Sequence, residues 1–221
     1  MQKNSFVFGL AFLFLLPAIV VHAEEAPATA QEFEAGRDYR RVTPAQPTDA
    51  APGQVEVLEF FWYGCPHCYQ AEAHVIEWLE TKPEGVTFTR VPATLNRGWV
   101  LMAQAYYTAE ELGVLDVMHP ALFAAFHETR VPLQTPEALV GYFQQHADVV
   151  PADFVAAFNS PTVASKVQRA DALARRYAVR GVPTMTVNGK FATNPTMTRG
   201  YARMTEVVDA LAKQELASQG E

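Results

Sequence analysis

Apolar positions divide the chain into legible segments. Val55 to Trp62 (VEVLEFFW) is a β-branched and aromatic run, which predicts a strand. It is apolar on both faces: Val55, Val57 and Phe61 lie on one, Leu58, Phe60 and Trp62 on the other. That pattern suits a central strand covered on both sides. Glu59 breaks it, because it falls in phase with Val55, Val57 and Phe61. After Tyr63-Gly64 the period lengthens from two to 3.6. Cys68, Ala71, Val75 and Leu79 then form one stripe, predicting a helix over 65–80 that stops at Lys82-Pro83-Glu84-Gly85. Val86 to Ala93 (VTFTRVPA) alternates and predicts a second strand. Strand, helix, strand is a βαβ unit, with a right-handed crossover. Within it Arg90 has two readings, a neighbour of Glu59 or an exposed strand residue, and the second is the expected one.

The pattern changes from Leu95 to Gln168, where no strand signal occurs. Helices are predicted over 99–112, 120–129, 136–146 and 151–158, the third with Thr135 as N-cap and Pro136 at the first position. Their aromatics, including Tyr106, Phe123, Phe143 and Phe154, recur at helical spacing and read mostly as core, with a substrate groove as the other use for some of them. His119, His127 and His146 are scattered and read as surface or capping residues. Ser160-Pro161 opens a long helix to about Tyr177, which carries the chain back to the sheet. Met185–Val187, the turn signal Asn188-Gly189 and Lys190–Ala192 read as a hairpin with a type I′ turn. A last helix over 201–216 buries Met204, Val207, Val208 and Leu211. Upstream, 39–42 reads as an edge strand, followed by a turn-rich connection through Pro44, Pro47, Pro52 and Gly53. The fold class is α/β with an inserted all-helical subdomain. Its parts are 39–94, the insertion 95–168, and 169–221.

The chemistry gathers at Cys65-Pro66-His67-Cys68. Pro66 fits the first helical turn, which sets Cys65 just before the helix and Cys68 within its first turn, on the buried face. Unpaired N–H groups and a partial positive charge at a helix N-terminus favour a thiolate, the form that attacks disulfides. Cys65 is therefore the expected exposed, reactive sulfur and Cys68 the buried resolving one. The other readings carry less. A structural disulfide here closes a very short loop and constrains the unfolded chain little. A zinc site lacks further cysteines and a partner histidine pattern. A c-type haem site needs His after the second cysteine, where Tyr69 stands. Glu59, six residues before Cys65, reads as a buried carboxylate with a raised pKa, able to relay a proton to or from Cys68.

Composition narrows the class. The chain has 221 residues, 49% hydrophobic and 19% charged, enough for one large domain or a domain with an insertion. A net charge of −7 gives no basic footprint, so nucleic acid is not an expected partner. The first residues carry Lys3, the apolar run Phe6–Leu16 and the small-residue pattern Val21-His22-Ala23. They read as a secretory signal, 1–23, removed after Ala23, with an uncleaved N-terminal anchor as the rival reading. Residues 24–38 then form an expected flexible leader. Two cysteines in an exported chain are too few for a disulfide scaffold, and their clustering argues for catalysis.

Val182-Pro183-Thr184 before a hairpin, added to the strand, the C-x-x-C helix start and the second strand, resembles the thioredoxin fold. Leu58-Glu59-Phe60-Phe61, Cys-Pro-His-Cys, the helical insertion, Arg180-Gly181-Val182-Pro183-Thr184 and Val187-Asn188-Gly189-Lys190 together resemble the DsbA family of periplasmic disulfide-forming oxidoreductases, from about Tyr39 to Leu211. Trp62-Tyr63-Gly64 departs from the residues often found there in that family. The resemblance implies Cys65 as nucleophile, Cys68 as resolving cysteine, His67 as the intervening residue that stabilises the thiolate, Glu59 as buried acid and Pro183 as a cis proline. Val182 before it is then placed to pair its backbone with an extended substrate. It also implies unfolded exported proteins with free thiols as substrates, a DsbB-type inner-membrane reoxidant, no cofactor or metal, a periplasmic location and a monomer. A disulfide isomerase or reductase on the same fold, a non-enzymatic peptide-binding chaperone and a metal-binding protein are the rival readings.

Overall fold

The structure, a computed structural model, describes Gln2 and residues 33–219. The expected signal, 1–23 apart from Gln2, and the first part of the leader lie outside the described residues. In chain order the elements are β1 (Arg40–Arg41), β2 (Val55–Phe61), α1 (Pro66–Thr81), β3 (Val86–Pro92), α2 (Arg97–Glu111), α3 (Leu115–His127), α4 (Pro136–Ala147), α5 (Pro151–Phe158), α6 (Pro161–Arg176), β4 (Thr184–Val187), β5 (Phe191–Thr193), α7 (Pro195–Thr198) and α8 (Tyr201–Ser218).

β2 is buried at every position, as an apolar run on both faces requires. It pairs parallel with β3 and antiparallel with β4, and the sheet order is β1-β5-β4-β2-β3. One face of the sheet, through Val55 and Val57, packs on Ala71, Val75 and Trp78 of α1 and on Met204, Val207, Val208 and Leu211 of α8. The other, through Leu58 and Phe60, packs on the helical insertion, with Tyr106, Ala170, Ala174 and Tyr177 in the same cluster. Each large apolar side chain so buried stabilises the fold by about 1.5–3 kcal/mol relative to exposure. Trp78 rather than Leu79 completes the buried stripe of α1, which follows the i, i+3, i+7, i+10 path from Cys68. Phe61 is in phase with Val55 and Val57 but ends the strand. It joins the other cluster, edge-on to Tyr63 and Tyr106.

The expected helices form, with differences at their ends. α3 begins five residues before Pro120, which sits inside it. A proline removes one backbone donor, and the buried Met118, His119, Leu122 and Phe123 on either side hold the helix through that gap. The boundary drawn between 168 and 169 falls within α6, which is continuous and packs on both α2 and β3. Residues 33–38, expected as leader, are held: Asp38 is buried, and its carboxylate accepts hydrogen bonds from Arg203 Nε and Nη2 at 3.1 and 2.9 Å. In the β4–β5 turn Asn188 and Gly189 have φ of 48° and 68°, as a type I′ turn requires. A Cβ on Gly189 would also collide with the backbone carbonyl of Gln46, so no other residue fits there.

Candidate functional site

β2 leads the chain into Trp62-Tyr63-Gly64, and α1 starts immediately after. Trp62 stacks on Trp99 at 4.4 Å, its ring lying across Gly64 where any Cβ would clash. Cys65 is the N-cap of α1, with extended φ and ψ of −88° and 115°, and Pro66 occupies the first turn. No acidic residue stands in that turn to compete for its positive end. Both thiols are free. Cys68 is wholly buried, whereas Cys65 keeps 8% exposure; the sulfur expected to be exposed is therefore only narrowly reachable.

Opposite effects act on the two thiols. The Cys65 pKa is lowered from 9.0 to about 6. The largest cause is a hydrogen bond from the Cys68 thiol; burial opposes it, and the backbone N–H groups of Cys68 and His67 and the His67 side-chain charge add to it. The helix N-terminus thus acts through two named N–H groups. Cys68 is driven the other way, far above the ordinary thiol range, first by burial and then by giving its hydrogen bond to Cys65. The pair consists of one sulfur that ionises easily and one that keeps its proton.

Below the pair lies a buried charged cluster. Glu59 is 1% exposed, and burial raises its pKa against the opposing pull of Arg90. Glu59 Oε2 lies 3.3 Å from Arg90 Nε, a charge contact without hydrogen-bond alignment. Arg90 Nη2 donates to Glu72 Oε1 at 2.5 Å. Glu72 Oε1 in turn lies 3.3 Å from His119 Nε2, and His119 Nδ1 lies 2.9 Å from the Tyr63 hydroxyl. The negative charge of Glu59 opposes ionisation of Cys68, so the cluster and the cysteine pair sense each other's protons.

Three side chains stand elsewhere than the sequence suggested. Arg90 is not an exposed strand residue: the parallel register sets it opposite Glu59, and its guanidinium bridges Glu59 and Glu72. His119 is not a surface or capping residue. It is 6% exposed among Phe61, Tyr63, Tyr106 and Phe123, and burial lowers its pKa. His127 also turns inward, its Nε2 donating to the Tyr63 carbonyl at 2.7 Å. His67 sits as expected between the cysteines, and its Nδ1 lies 2.9 Å from the Tyr201 hydroxyl. That hydroxyl gives its single proton to Gln70 Oε1 at 2.6 Å, so Nδ1 of His67 is the donor. Tyr201, Glu72 and Tyr63 were missed from the sequence. Of these only Glu72, one helical turn beyond Cys68 beside a buried stripe, gave a signal.

The second motif reaches the pair from 117 residues away. The Val182–Pro183 peptide is cis, and the Cys65 thiol lies 3.5 Å from the Val182 carbonyl oxygen, to which it donates. Beside them a cavity of about 750 Å³ runs from His67 and Val182 to Tyr201. Among the described residues no group of three or more His, Cys, Asp and Glu side chains could hold a metal ion. The arrangement suits exchange of a disulfide with an extended chain laid along Val182.

Known proteins fit this geometry. A family model described as a DSBA-like thioredoxin domain matches residues 81–212. The match begins beyond the cysteines, so helices and sheet carry it independently of the C-x-x-C motif. The thiol:disulfide interchange protein DsbA of Burkholderia cepacia is 34% identical over 200 residues, covering 90% of this chain and 94% of the relative. That of Azotobacter vinelandii is 38% identical over 188 residues, covering 85% and 87%. The crystal structure of Pseudomonas aeruginosa DsbA superposes with a TM-score of 0.80 at 34% identity, over 86% of this chain and 97% of that one. The chain belongs to the DsbA-like family of thioredoxin-fold proteins.

Proposed function

We propose that this protein is a thiol:disulfide oxidoreductase that introduces disulfide bonds into exported proteins through the Cys65–Cys68 pair. The observation that carries the reading is the split between the two thiols, Cys65 lowered to about 6 and Cys68 pushed far above its ordinary range. A disulfide whose leaving sulfur is stable as a thiolate is readily reduced, and is therefore oxidising toward its substrates.

In the oxidised state a substrate thiolate attacks Cys65 Sγ. A substrate–Cys65 disulfide forms, the Cys65–Cys68 bond breaks, and its electron pair leaves on Cys68, which takes a proton. Glu59, kept partly protonated by its burial, relays that proton. A second substrate thiolate then attacks the substrate sulfur of the mixed disulfide. The substrate disulfide closes and Cys65 leaves as a thiolate, stabilised by the Cys68 thiol, the two α1 N–H groups and His67. Two electrons have passed from substrate to protein. Pro66 fixes the start of α1, and Val182 and Pro183 present an edge along which an extended substrate pairs. Unfolded exported proteins with free thiols are the substrates, in the periplasm, after removal of a signal ending at Ala23. A DsbB-type inner-membrane quinone reductase restores the disulfide by taking the two electrons. The protein acts as a monomer.

The test incubates the oxidised protein with a reduced, unfolded exported protein and then with glutathione buffers. Stoichiometric oxidation of the substrate, and a pair that stays reduced where glutathione is largely oxidised, are the expected results. A pair that remains oxidised in reducing glutathione makes it a reductant instead. Substrate binding that survives Cys65→Ser with its effect on folding intact makes it a chaperone.

A further inference from the structure

The cavity beside Cys65 carries a charge of its own. Arg40, Arg180 and Arg199 line it together with His67, and no Asp or Glu lines it, in a chain whose net charge is −7. Arg180 and Arg199 are exposed, and among the described residues neither makes a salt bridge or side-chain hydrogen bond. Arg40 is half-buried and donates to the Tyr177 carbonyl at 2.5 Å, which holds its guanidinium without neutralising it. The nearby carboxylate, Asp38, is buried and already taken by Arg203 and Arg37. Burial, and after it the nearby Arg180 charge, disfavour the Arg40 cation, a cost that an anion beside it would relieve.

The cavity sets these positive charges beside apolar walls such as Val182 and Pro183. Its volume of about 750 Å³ is that of a pocket for a few residues, and one wall is the Val182–Pro183 segment 3.5 Å from the Cys65 sulfur. A polypeptide cysteine that reaches Cys65 therefore lays its flanking residues beside the arginines. Guanidinium groups pair with carboxylates through two parallel N–H donors, so each arginine left unpaired is a ready partner for an Asp or Glu side chain.

We propose that this cavity selects acidic segments: among polypeptide thiols, those with Asp or Glu beside the cysteine are bound by Arg40, Arg180 and Arg199 and oxidised in preference. The proposal rests on the oxidoreductase reading above and names the class of substrate it takes. Charge here raises the encounter rate and sets the register of the bound chain, rather than supplying bulk affinity.

The test uses the full mature chain with an oxidised Cys65–Cys68 pair and three synthetic peptides with one central cysteine, flanked by Asp, Asn or Lys. Reduction of the pair is followed by tryptophan fluorescence, with dithiothreitol as an uncharged reference thiol. Peptide rates are corrected to the same thiolate concentration, since flanking charges change the peptide thiol pKa. Exposed ion pairs of ordinary strength predict that the Asp peptide reacts about fivefold faster than the Asn peptide at low salt, and the Lys peptide slower than either. The difference shrinks toward unity as ionic strength rises, since the charges are solvent-facing. Arg180→Gln combined with Arg199→Gln lowers the Asp-to-Asn ratio, and Arg180→Glu with Arg199→Glu inverts it. Equal rates for the three peptides, with dithiothreitol still reducing the pair, overturn the selectivity and leave the redox function standing. An acidic preference unchanged in the glutamine variant also overturns it, by locating the preference elsewhere. A pair that neither dithiothreitol nor any peptide reduces overturns the redox function and the selectivity with it.

Discussion

Glu59 and Arg90 stand directly opposite each other on β2 and β3, their charged ends 3.3 Å apart and Glu59 almost wholly screened from water. The contact does not fully offset the loss of hydration, because the carboxyl pKa remains raised. A group with a raised folded pKa contributes stability below its unfolded value and loses it as pH climbs through the folded one. Glu59→Gln should therefore stabilise the protein by about 1–2 kcal/mol at pH 8 and by much less at pH 5. Arg90→Met should do the reverse, costing about 2–4 kcal/mol at pH 8 and less at pH 5, because it leaves Glu59 and Glu72 without their shared cation. Urea denaturation of the three proteins at both pH values checks this. If Glu59 carries the Cys68 proton as proposed, the same Glu59→Gln change slows the reduction of the disulfide.

The Cys68 thiol is the largest contributor to the low Cys65 pKa. Cys68→Ala should therefore raise the Cys65 pKa well above about 6, whereas Cys68→Ser, which keeps a donor at that position, should leave it closer to the native value. Alkylation rates against pH report both. The Cys68→Ser protein should also accumulate mixed disulfides with its substrates, and Cys65→Ser should form none.

The reduced protein should melt above the oxidised one at neutral pH. The folded Cys65 pKa lies below its unfolded value of 9.0, so its ionisation contributes stability that is complete above that value and is lost as pH falls through about 6. The gap in melting temperature should thus narrow between pH 7 and pH 5. Calorimetric scans of both redox forms test it; an oxidised form that melts higher at pH 7 contradicts the oxidase reading.

His119 is buried as a neutral imidazole, its pKa lowered from 6.5. The unfolded chain takes up a proton there more readily, so this histidine should weaken the fold as pH falls below 6.5. His119→Gln keeps polar contacts to Tyr63 and Glu72 without a titrating group. The melting temperature of that variant should fall less between pH 7 and pH 5 than that of the native protein.

Most of the frame was legible in the sequence because periodicity reports burial. The run Val55–Phe61, apolar on both faces apart from its two glutamates, pointed to a central strand, and the stripe from Cys68 through Val75 to a helix facing it. Cys65, Cys68, His67 and Pro66 were legible because they adjoin a helix start whose polarity is independent of the rest of the fold. Val182 and Pro183 were legible only through family resemblance, since nothing local ties them to Cys65. The charged cluster was half legible. Glu59 violated a pattern and stood out, but Arg90 sat in an alternating strand where an exposed arginine is ordinary. His119 was hidden for a related reason: Pro120 read as a helix start, which put the histidine outside α3 instead of on its buried face. The arginines of the cavity come from β1, the approach to Pro183 and the end of α7, and no sequence pattern joins those places.

The proposed oxidase activity depends on the ionisation of Cys65, whose direct measure is the ultraviolet absorbance of the thiolate in the reduced protein, titrated against pH with the oxidised protein as reference. A single transition centred at about 6, with no second thiol ionising below pH 9, is the predicted result. A transition near the ordinary thiol value of 9.0 would leave Cys65 a poor leaving group and contradict the proposed oxidase.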